Sequence, residues 1–416
     1  MSLDGALRRR VVITGQGFVS PAGPCAGAIE SFLAEGRSCV RREEGLTAPY
    51  GLQTRLASPV VDFDDAAFPR QWRRSMSRIS LMAAEATRKA IADARMPEDL
   101  VRHPRTGISY GSTMGGSSAI EKCYRTMSGT GGLEGFLSTT FLQIMSHTCA
   151  ANIAIAFGVR GRLLASCVAC ASSLQAVGLG YESIKFGLAD AFLCGGAEEL
   201  HPMMIGVFDT MKATSTACND TPSKASRPFD SDRDGLVVGE GAGTLVLEEY
   251  EAALRRGATI LAEVAGFSTG SDGGHMTNPS YEAMERVMRE ALEDAGLAPA
   301  DISLVSAHAT ATWVGDLAES RAIHAVFGGR TPVNSLKGSL GHLMGACGVI
   351  ELGACLGMLE RNRILHTLNL EKPDPECAPL DYVMGAPREA NVRAILKNSF
   401  GFGGVNASLV VKKVVT

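Results

Sequence analysis

Cys170 lies in the stretch SCVACASSLQAVGLG, Ser166 to Gly180, between two alanines and ahead of a helical-looking segment. A thiol in the first turn of a helix meets unpaired backbone N–H groups and the positive end of the helix dipole. Both favour the thiolate, the nucleophilic form of cysteine. Ala169 and Ala171 leave room for a substrate to approach. The stretch alone reads at least as well as a buried structural cysteine. Cys167, three residues earlier, completes a CxxC pair. A structural zinc site needs a second such pair or histidines at set spacing, and no second CxxC exists. A thioredoxin-like pair would follow the first strand of a small domain, whereas this one is mid-chain. The sequence therefore argues against metal or redox use, and Cys167 is expected to be a core thiol leading into Cys170.

Two histidines stand in contexts that suit the same chemistry. His308 ends the apolar part of LVSAHATATWVGD, just before Thr310 and Thr312. His342 lies in NSLKGSLGHLMGACG, five residues after Lys337. Either one alone could be a satisfied core or surface histidine. Together they offer neutral imidazoles able to give or take a proton near neutral pH. One thiolate with two imidazoles suits a reaction that develops and then quenches an oxyanion or carbanion. The fourth piece is NSFGFGGVN, Asn398 to Asn406. Its glycines let the backbone turn sharply and present N–H groups, the raw material of an oxyanion hole. As structure alone it is a glycine-rich turn between two strands. GEGAG at 239–243 has the look of a dinucleotide loop, but no helix follows it and that reading is rejected.

The elements that must position these residues alternate in type. Strands are expected at Arg9–Gly15, Thr106–Ser112, Asp190–Gly196, Thr259–Gly266, Ile302–His308, Val392–Lys397 and Ala407–Val411. Helices are expected at Ser75–Ala94, Cys170–Gly187, Tyr281–Ala295 and Gly345–Glu360. Leu236–Glu249 reads as two strands around a glycine turn. The alternation argues an α/β fold with largely parallel sheets. Ala169–Gly187 and Gly345–Arg363 share a texture, each opening on a small-Cys-small step and continuing as a small-residue helix. Either the chain is a duplicated half, or two buried helices share a bias to Ala, Gly and Leu.

Composition bounds the rest. The 416 residues are 45% hydrophobic and 20% charged, enough to bury a large core. A net charge of −4 gives no sign of a nucleic-acid partner. No run of about 18 apolar residues is present, so no membrane span is expected. The N-terminal MSLDGALRRRVVITG lacks a signal-type apolar segment. Eleven cysteines, an odd number in largely apolar contexts, suit reduced thiols in a cytoplasmic protein.

ACASS, AHATAT, KGSLGHLMGACG and NSFGFGG, in this order, resemble the β-ketoacyl-acyl-carrier-protein synthases, the elongating condensing enzymes of the thiolase superfamily. NDTPSKASRPFDSDRDGLVVGEGAG and VGDLAESRAI extend the similarity over nearly the whole chain. The resemblance implies a thiolase-like fold with two duplicated βαβαβαββ halves, 1–255 and 256–416, in a five-layered αβαβα core. It implies Cys170 as the nucleophile that takes an acyl chain from an acyl-carrier protein. His308 and His342 would stabilise the enolate formed as malonyl-carrier protein loses CO₂. Lys337 would supply positive charge, Glu351 would tie the network together, and Phe400 would gate the site. The N–H groups of Cys170 and Phe400 would form the oxyanion hole, and Thr310 and Thr312 would hold the pantetheine arm. The phosphopantetheine rides on the carrier, so neither cofactor nor metal is expected on the enzyme. A homodimer is implied, with Phe141–Gly158 part of its interface; a heterologous partner subunit is the other arrangement.

The usual motif at the first histidine is His-Gly-Thr-x-Thr-Pro. Here Ala309 replaces the glycine and Trp313 the proline. That departure keeps two pathways open: fatty-acid elongation, and a specialised pathway making polyene or polyketide-like chains. A thiolase or initiation-type synthase is disfavoured because both histidines are present, and a non-catalytic chain-length subunit because Cys170 is. FPRQWRRSMSR, Phe68 to Arg78, is either a solvated helix start or a docking patch for the acidic carrier, with Arg70 and Arg74 the best positional matches.

Overall fold

The computed structural model describes residues 8–414. The first seven residues, part of the segment read above for a signal sequence, lie outside them. Five strands form the N-terminal half: β1 (Val11–Val19), β2 (Thr106–Gly111), β3 (Leu163–Ser166), β4 (Ala191–Glu198) and β5 (Gly241–Glu249). Five more form the C-terminal half: β6 (Ala262–Ser271), β7 (Leu304–Ser306), β8 (Pro332–Asn334), β9 (Ala394–Gly401) and β10 (Val405–Lys412). A two-residue strand, Asp381–Tyr382, runs parallel to β8 at the outer edge. The first half runs in the order β3-β2-β4-β5-β1 and the second in the order β8-β7-β9-β10-β6. Counted within each half, both orders are 3-2-4-5-1. The directions repeat too. The three outer strands are parallel in each half, and the remaining pairs are antiparallel. β1 and β6 join the halves through three antiparallel residue pairs.

Two helices lie between the halves. α3 (Ser172–Lys185) packs on β2 and β4 of one half and on β6 and β10 of the other. α6 (Cys347–Arg361) packs on β9, β5 and β4, and against α3. Outside, α1 (Arg78–Asp93) covers β1 and β5, with α2 (Thr148–Phe157) beside it. On the opposite face α4 (Tyr281–Ala295) covers β6 and β10, with α5 (Trp313–Phe327) alongside. The result is the αβαβα stack. The small residues of the two central helices have a direct cause. A Cβ at Gly178 would lie 2.3 Å from the Phe267 ring, and one at Gly353 would lie 2.2 Å from that of Phe18. Only glycine lets the helix axes approach both sheets this closely.

The internal echo is real but its register differs from the cysteine alignment. Each central helix follows a short 3-10 turn, Ala169–Ala171 and Met344–Ala346. Each turn opens on a non-glycine residue in the left-handed region, Ala169 at φ 49° and Met344 at φ 50°. Cys170 therefore corresponds to Gly345, not to Cys347. The 3-10 turn also means that the helix expected at Cys170–Gly187 begins two residues later than the sequence suggests.

Leu236–Glu249 does not form two strands. Only Gly241–Glu249 enters the sheet, and Leu236 to Gly239 makes isolated bridges to three separate segments. Gly235 and Gly241 take φ values of 138° and 157°, and these break the strand pattern. Among the described residues no single helix is long and apolar enough to cross a membrane.

Candidate active site

Cys170 is buried in the 3-10 turn between β3 and α3. The left-handed Ala169 costs roughly 1–3 kcal/mol, so the surroundings must hold it. Ser172 does so locally. Its hydroxyl accepts from Val168 N–H at 3.0 Å and lies 2.7 Å from the Ala169 carbonyl, to which it donates. Cys167 is exposed, with its Sγ 3.3 Å from the Ser146 carbonyl, and is not a core thiol. The reason is topological: β3 is the outermost strand of its half, so the chain leaving it runs along the surface.

His342 reaches the thiol directly, Nε2 lying 2.9 Å from Cys170 Sγ. Its backbone is fixed by the irregular Leu236–Gly239 segment. The His342 N–H donates to the Val237 carbonyl at 2.7 Å, and Gly239 N–H donates to the His342 carbonyl at 2.9 Å. His308 sits beside it, ring centroids 5.2 Å apart and planes at 84°. Two carboxylates from α5 hold the His308 loop. Glu319 accepts from the N–H groups of His308 and Ala309 at 2.8 and 2.6 Å. Asp316 accepts from Ala311 at 3.1 Å and from Phe229 at 2.7 Å. The left-handed residue of this loop is Ala311, at φ 68°, while Ala309 is buried with ordinary angles. The methyl group at 309 therefore needs space, not backbone freedom.

Burial pushes the Cys170 thiol well above its ordinary range; the Lys337 charge pulls it down by less. This overturns the expectation that the helix start alone yields a thiolate: desolvation of the charged form wins in the resting site. Burial, then the Lys337 charge, holds both imidazoles well below the ordinary histidine value. The resting pair is thus a thiol donating to a neutral His342 Nε2. The geometry leaves His342 Nε2 as the group to which this thiol could pass its proton. Acylation is therefore expected to stay active on the acid side, with its acidic limb below about pH 6.5. A pH profile of thioester formation checks this, and a limb at or above that value contradicts it. The same groups oppose acid stability. In the unfolded chain they take up protons first, so their contribution to stability is lost as pH falls below about 6.5.

Beneath the histidines lies a buried charge cluster. Lys337 Nζ is 2.7 Å from Glu351 Oε1, and both side chains are essentially inaccessible. A second buried lysine, Lys397, stands 2.5 Å from Glu351 Oε2.

Cys170, His308 and His342 open into a cavity of about 420 Å³ that is also lined by Thr310, Thr312, Trp313, Phe400 and Phe402. Thr310 and Thr312 hydroxyls are 3.0 Å apart at its wall. Trp313 is half exposed at the rim and its ring covers the buried Arg233 guanidinium at 4.3 Å. Phe400 lies against His308 at 6.2 Å, and Phe402 packs on Phe208 at 5.3 Å. The expected glycine-rich turn joins β9 to β10, as read. A Cβ at Gly401 would lie 3.2 Å from the Cys170 nitrogen and 3.0 Å from the Val168 carbonyl. The glycine keeps the space over the Cys170 N–H open. Gly401→Val is therefore expected to slow thioester formation by on the order of 10²-fold, the scale of one lost oxyanion donor. A stopped-flow acylation assay measures it, and an unchanged rate would exclude this N–H from the oxyanion site.

The structure brings Cys170, His308, His342, Lys337, Glu351, Phe400, Thr310 and Thr312 into this one region. Arg70 and Arg74 are exposed and do not line the cavity. Arg78 is not free for docking: it pairs with Glu240 at 2.9 Å and Asp65 at 3.0 Å. Glu319, Asp316, Arg233, Lys397 and Gly401 are site residues that motif reading passed over. The i, i+3 carboxylates of VGDLAES and the lone charge in AILKNSFG were the available signals. The Sγ and ring nitrogens of Cys170, His308 and His342 fall within 4.8 Å of one another, the donor set of a thiophilic ion such as zinc. An ion held there would occupy the Cys170 sulfur.

Residues 8–253 match the family described as "Beta-ketoacyl synthase, N-terminal domain", and residues 261–371 match "Beta-ketoacyl synthase, C-terminal domain". The chain is 37% identical to a 3-oxoacyl-[acyl-carrier-protein] synthase 2 of Coxiella burnetii, covering 98% of this chain and 99% of that one. A crystal structure of a β-ketoacyl synthase from Burkholderia phymatum is 46% identical with a TM-score of 0.94, covering 98% of this chain and 100% of the other. A type II polyketide synthase acyl-carrier protein in complex with its ketosynthase is similar at 30% identity and a TM-score of 0.90, again over 98% and 100%.

Proposed function

Because this chain belongs to the β-ketoacyl synthase family and is a ketosynthase acyltransferase, we propose that it condenses a Cys170-bound acyl group with malonyl-acyl-carrier protein, in fatty-acid elongation. The observation that carries the roles is the 2.9 Å contact between Cys170 Sγ and His342 Nε2, with His308 beside both. In the first step the thiol proton passes to His342. Sulfur attacks the acyl thioester, and the carrier thiol leaves with a proton. In the second step the malonyl C–C bond breaks, CO₂ departs, and the electron pair becomes an enolate. Neutral His308 can donate a hydrogen bond to the enolate oxygen, and His342 can do so in its Nε2–H tautomer, which is free to form once the thiol is acylated. The carbanion then attacks the Cys170 thioester, a C–C bond forms, and the cysteine sulfur leaves as a thiolate that takes up a proton from solvent to restore the resting thiol. All other groups ride on the carrier, so this scheme needs no cofactor on the enzyme.

A second pathway has specific support. Trp313 stands at the cavity mouth over Arg233, where the usual proline would leave more room, and one similar structure is a polyketide ketosynthase with its carrier. Rates with acyl-carrier substrates graded in length and unsaturation separate the two. Preference for saturated chains supports fatty-acid elongation, and preference for polyene or oxidised chains supports the specialised route.

The acidic carrier is proposed to dock on Arg70 and Arg74, which are exposed. Charge reversal of both is expected to raise KM for carrier-borne substrates about 10-fold or more while leaving small thioester mimics unaffected. Equal effects on both would sink the assignment. A second copy of the chain would cover β3, an edge strand with an exposed Leu163, together with the exposed Phe141 and Ile155. The halves 1–255 and 256–416 are proposed as the two structural units.

A further inference from the structure

Lys397 is fully buried on β9, beside Ser306 of β7 in the parallel pairing. Glu351 is one carboxylate facing two ammonium groups, since Lys337 already pairs with its other oxygen. Neutralising Glu351 therefore does not require Lys397. Its hydrogen-bond acceptors are carbonyl oxygens: Nζ donates to the carbonyls of Ser306 at 3.4 Å and Ala307 at 3.3 Å. Those two residues immediately precede His308. One carboxylate oxygen and two carbonyls converging on a point charge are the donors a hard monovalent cation takes, because such ions prefer oxygen ligands.

We propose that Lys397 is a positioning residue, a tethered cation held by oxygens that ties the strand leading into His308 to the Lys337–Glu351 pair, and that a small free monovalent cation can replace it. The proposal rests on the reading of Cys170, His308 and His342 as the condensing site. Lys397 touches none of the reacting atoms. The groups that feel its charge are Glu351 and Cys355 on α6, Cys347 at the start of that helix, Glu319 on α5, and both histidines. Its charge helps keep the imidazoles neutral, behind burial and Lys337. It also steadies Glu319, whose carboxylate burial pushes up and the charge of Lys397 pulls down. Glu319 in turn holds the His308 loop.

The test uses full-length protein with Lys397→Ala, assayed for malonyl-carrier decarboxylation across pH in tetramethylammonium, ammonium and potassium chlorides at constant ionic strength. In the bulky cation the variant is expected to decarboxylate on the order of 10²-fold more slowly. Its acidic limb should move to higher pH because the histidines regain basicity. Ammonium or potassium should restore most of the rate and return the limb. Lys397→Met fills the volume without charge, and its loss should not respond to either ion. Purification in ammonium chloride guards against poor folding, and melting curves of both variants report it. A wild-type rate for Lys397→Ala in tetramethylammonium would overturn the proposal, as would a loss that neither small cation repairs. Failure of the wild-type protein itself to acylate Cys170 or decarboxylate malonyl-carrier protein would instead refute the condensing-site reading.

Discussion

His342→Ala is expected to slow both halves of the reaction, whereas His308→Ala should slow only the second. His342 is the group within 2.9 Å of the thiol, so its loss leaves a buried Cys170 with no proton acceptor. Burial already pushes that thiol up, which makes direct ionisation rare. Thioester formation should fall by on the order of 10²–10⁴-fold, the scale of a general base. Decarboxylation should fall as well, because one enolate donor is gone. His308 faces the same cavity but stands a ring away, held by Glu319 through its backbone. Its removal should leave acylation within a few-fold of normal and cut decarboxylation by roughly 10²–10³-fold, the scale of one lost oxyanion donor. Single-turnover acylation and CO₂ release, measured separately, resolve the two. Equal losses of acylation in both variants would contradict the division of roles.

Glu351→Gln should be the most destabilising single change in the site. It leaves two buried ammonium groups facing a neutral amide, in a place no water reaches. Removing one partner of a buried ion pair costs about 3–5 kcal/mol. Here both lysines lose their counter-charge at once, so the upper part of that range is expected. The triple change Lys337→Met, Glu351→Leu, Lys397→Met replaces the charges with apolar groups of similar size and should recover much of the lost stability. It should not recover activity, since Lys337 is one of the charges that keep His308 and His342 neutral. Denaturant melts of the wild type and both variants, beside a condensation assay, test this. A Glu351→Gln protein as stable as the wild type would show that the cluster is solvated or protonated otherwise.

The elements that alternate strongly in the sequence formed where their pattern placed them. α1 and α4 have clear apolar periods and β1 and β4 read as short apolar runs, and their edges moved by four residues or fewer. The repeat was half legible. Its texture showed in ACASS and GACGV, but cysteine is a poor marker of register, and the shared left-handed turns at Ala169 and Met344 carry it instead. Leu236–Gly239 misled because an apolar, β-branched run between glycines looks like a strand. Its hydrogen bonds go to His342, Ser58 and the Ala213–Ser215 segment rather than along a sheet neighbour. Cys167 misled because an apolar flank says nothing about which side of an edge strand faces outward.

For the candidate site, spacing and residue type picked out the groups that line the cavity but not those that hold them in place. Glu319 and Asp316 act through backbone N–H groups, which leave no mark in the residues they hold. Lys397 was visible as a charge inside an apolar strand, but its partners lie 46 and 90 residues or more away. The state of Cys170 depends on burial, which the helix-start argument omits.

The proposed condensation turns on Cys170 carrying the acyl group. Wild-type protein and Cys170→Ala, each mixed with acyl-carrier protein, should be weighed intact by mass spectrometry. The wild type should gain the mass of one acyl group per chain, and the peptide containing Cys170 should hold it. Cys170→Ala should gain none. Acylation of Cys170→Ala at the wild-type stoichiometry would contradict this role for Cys170.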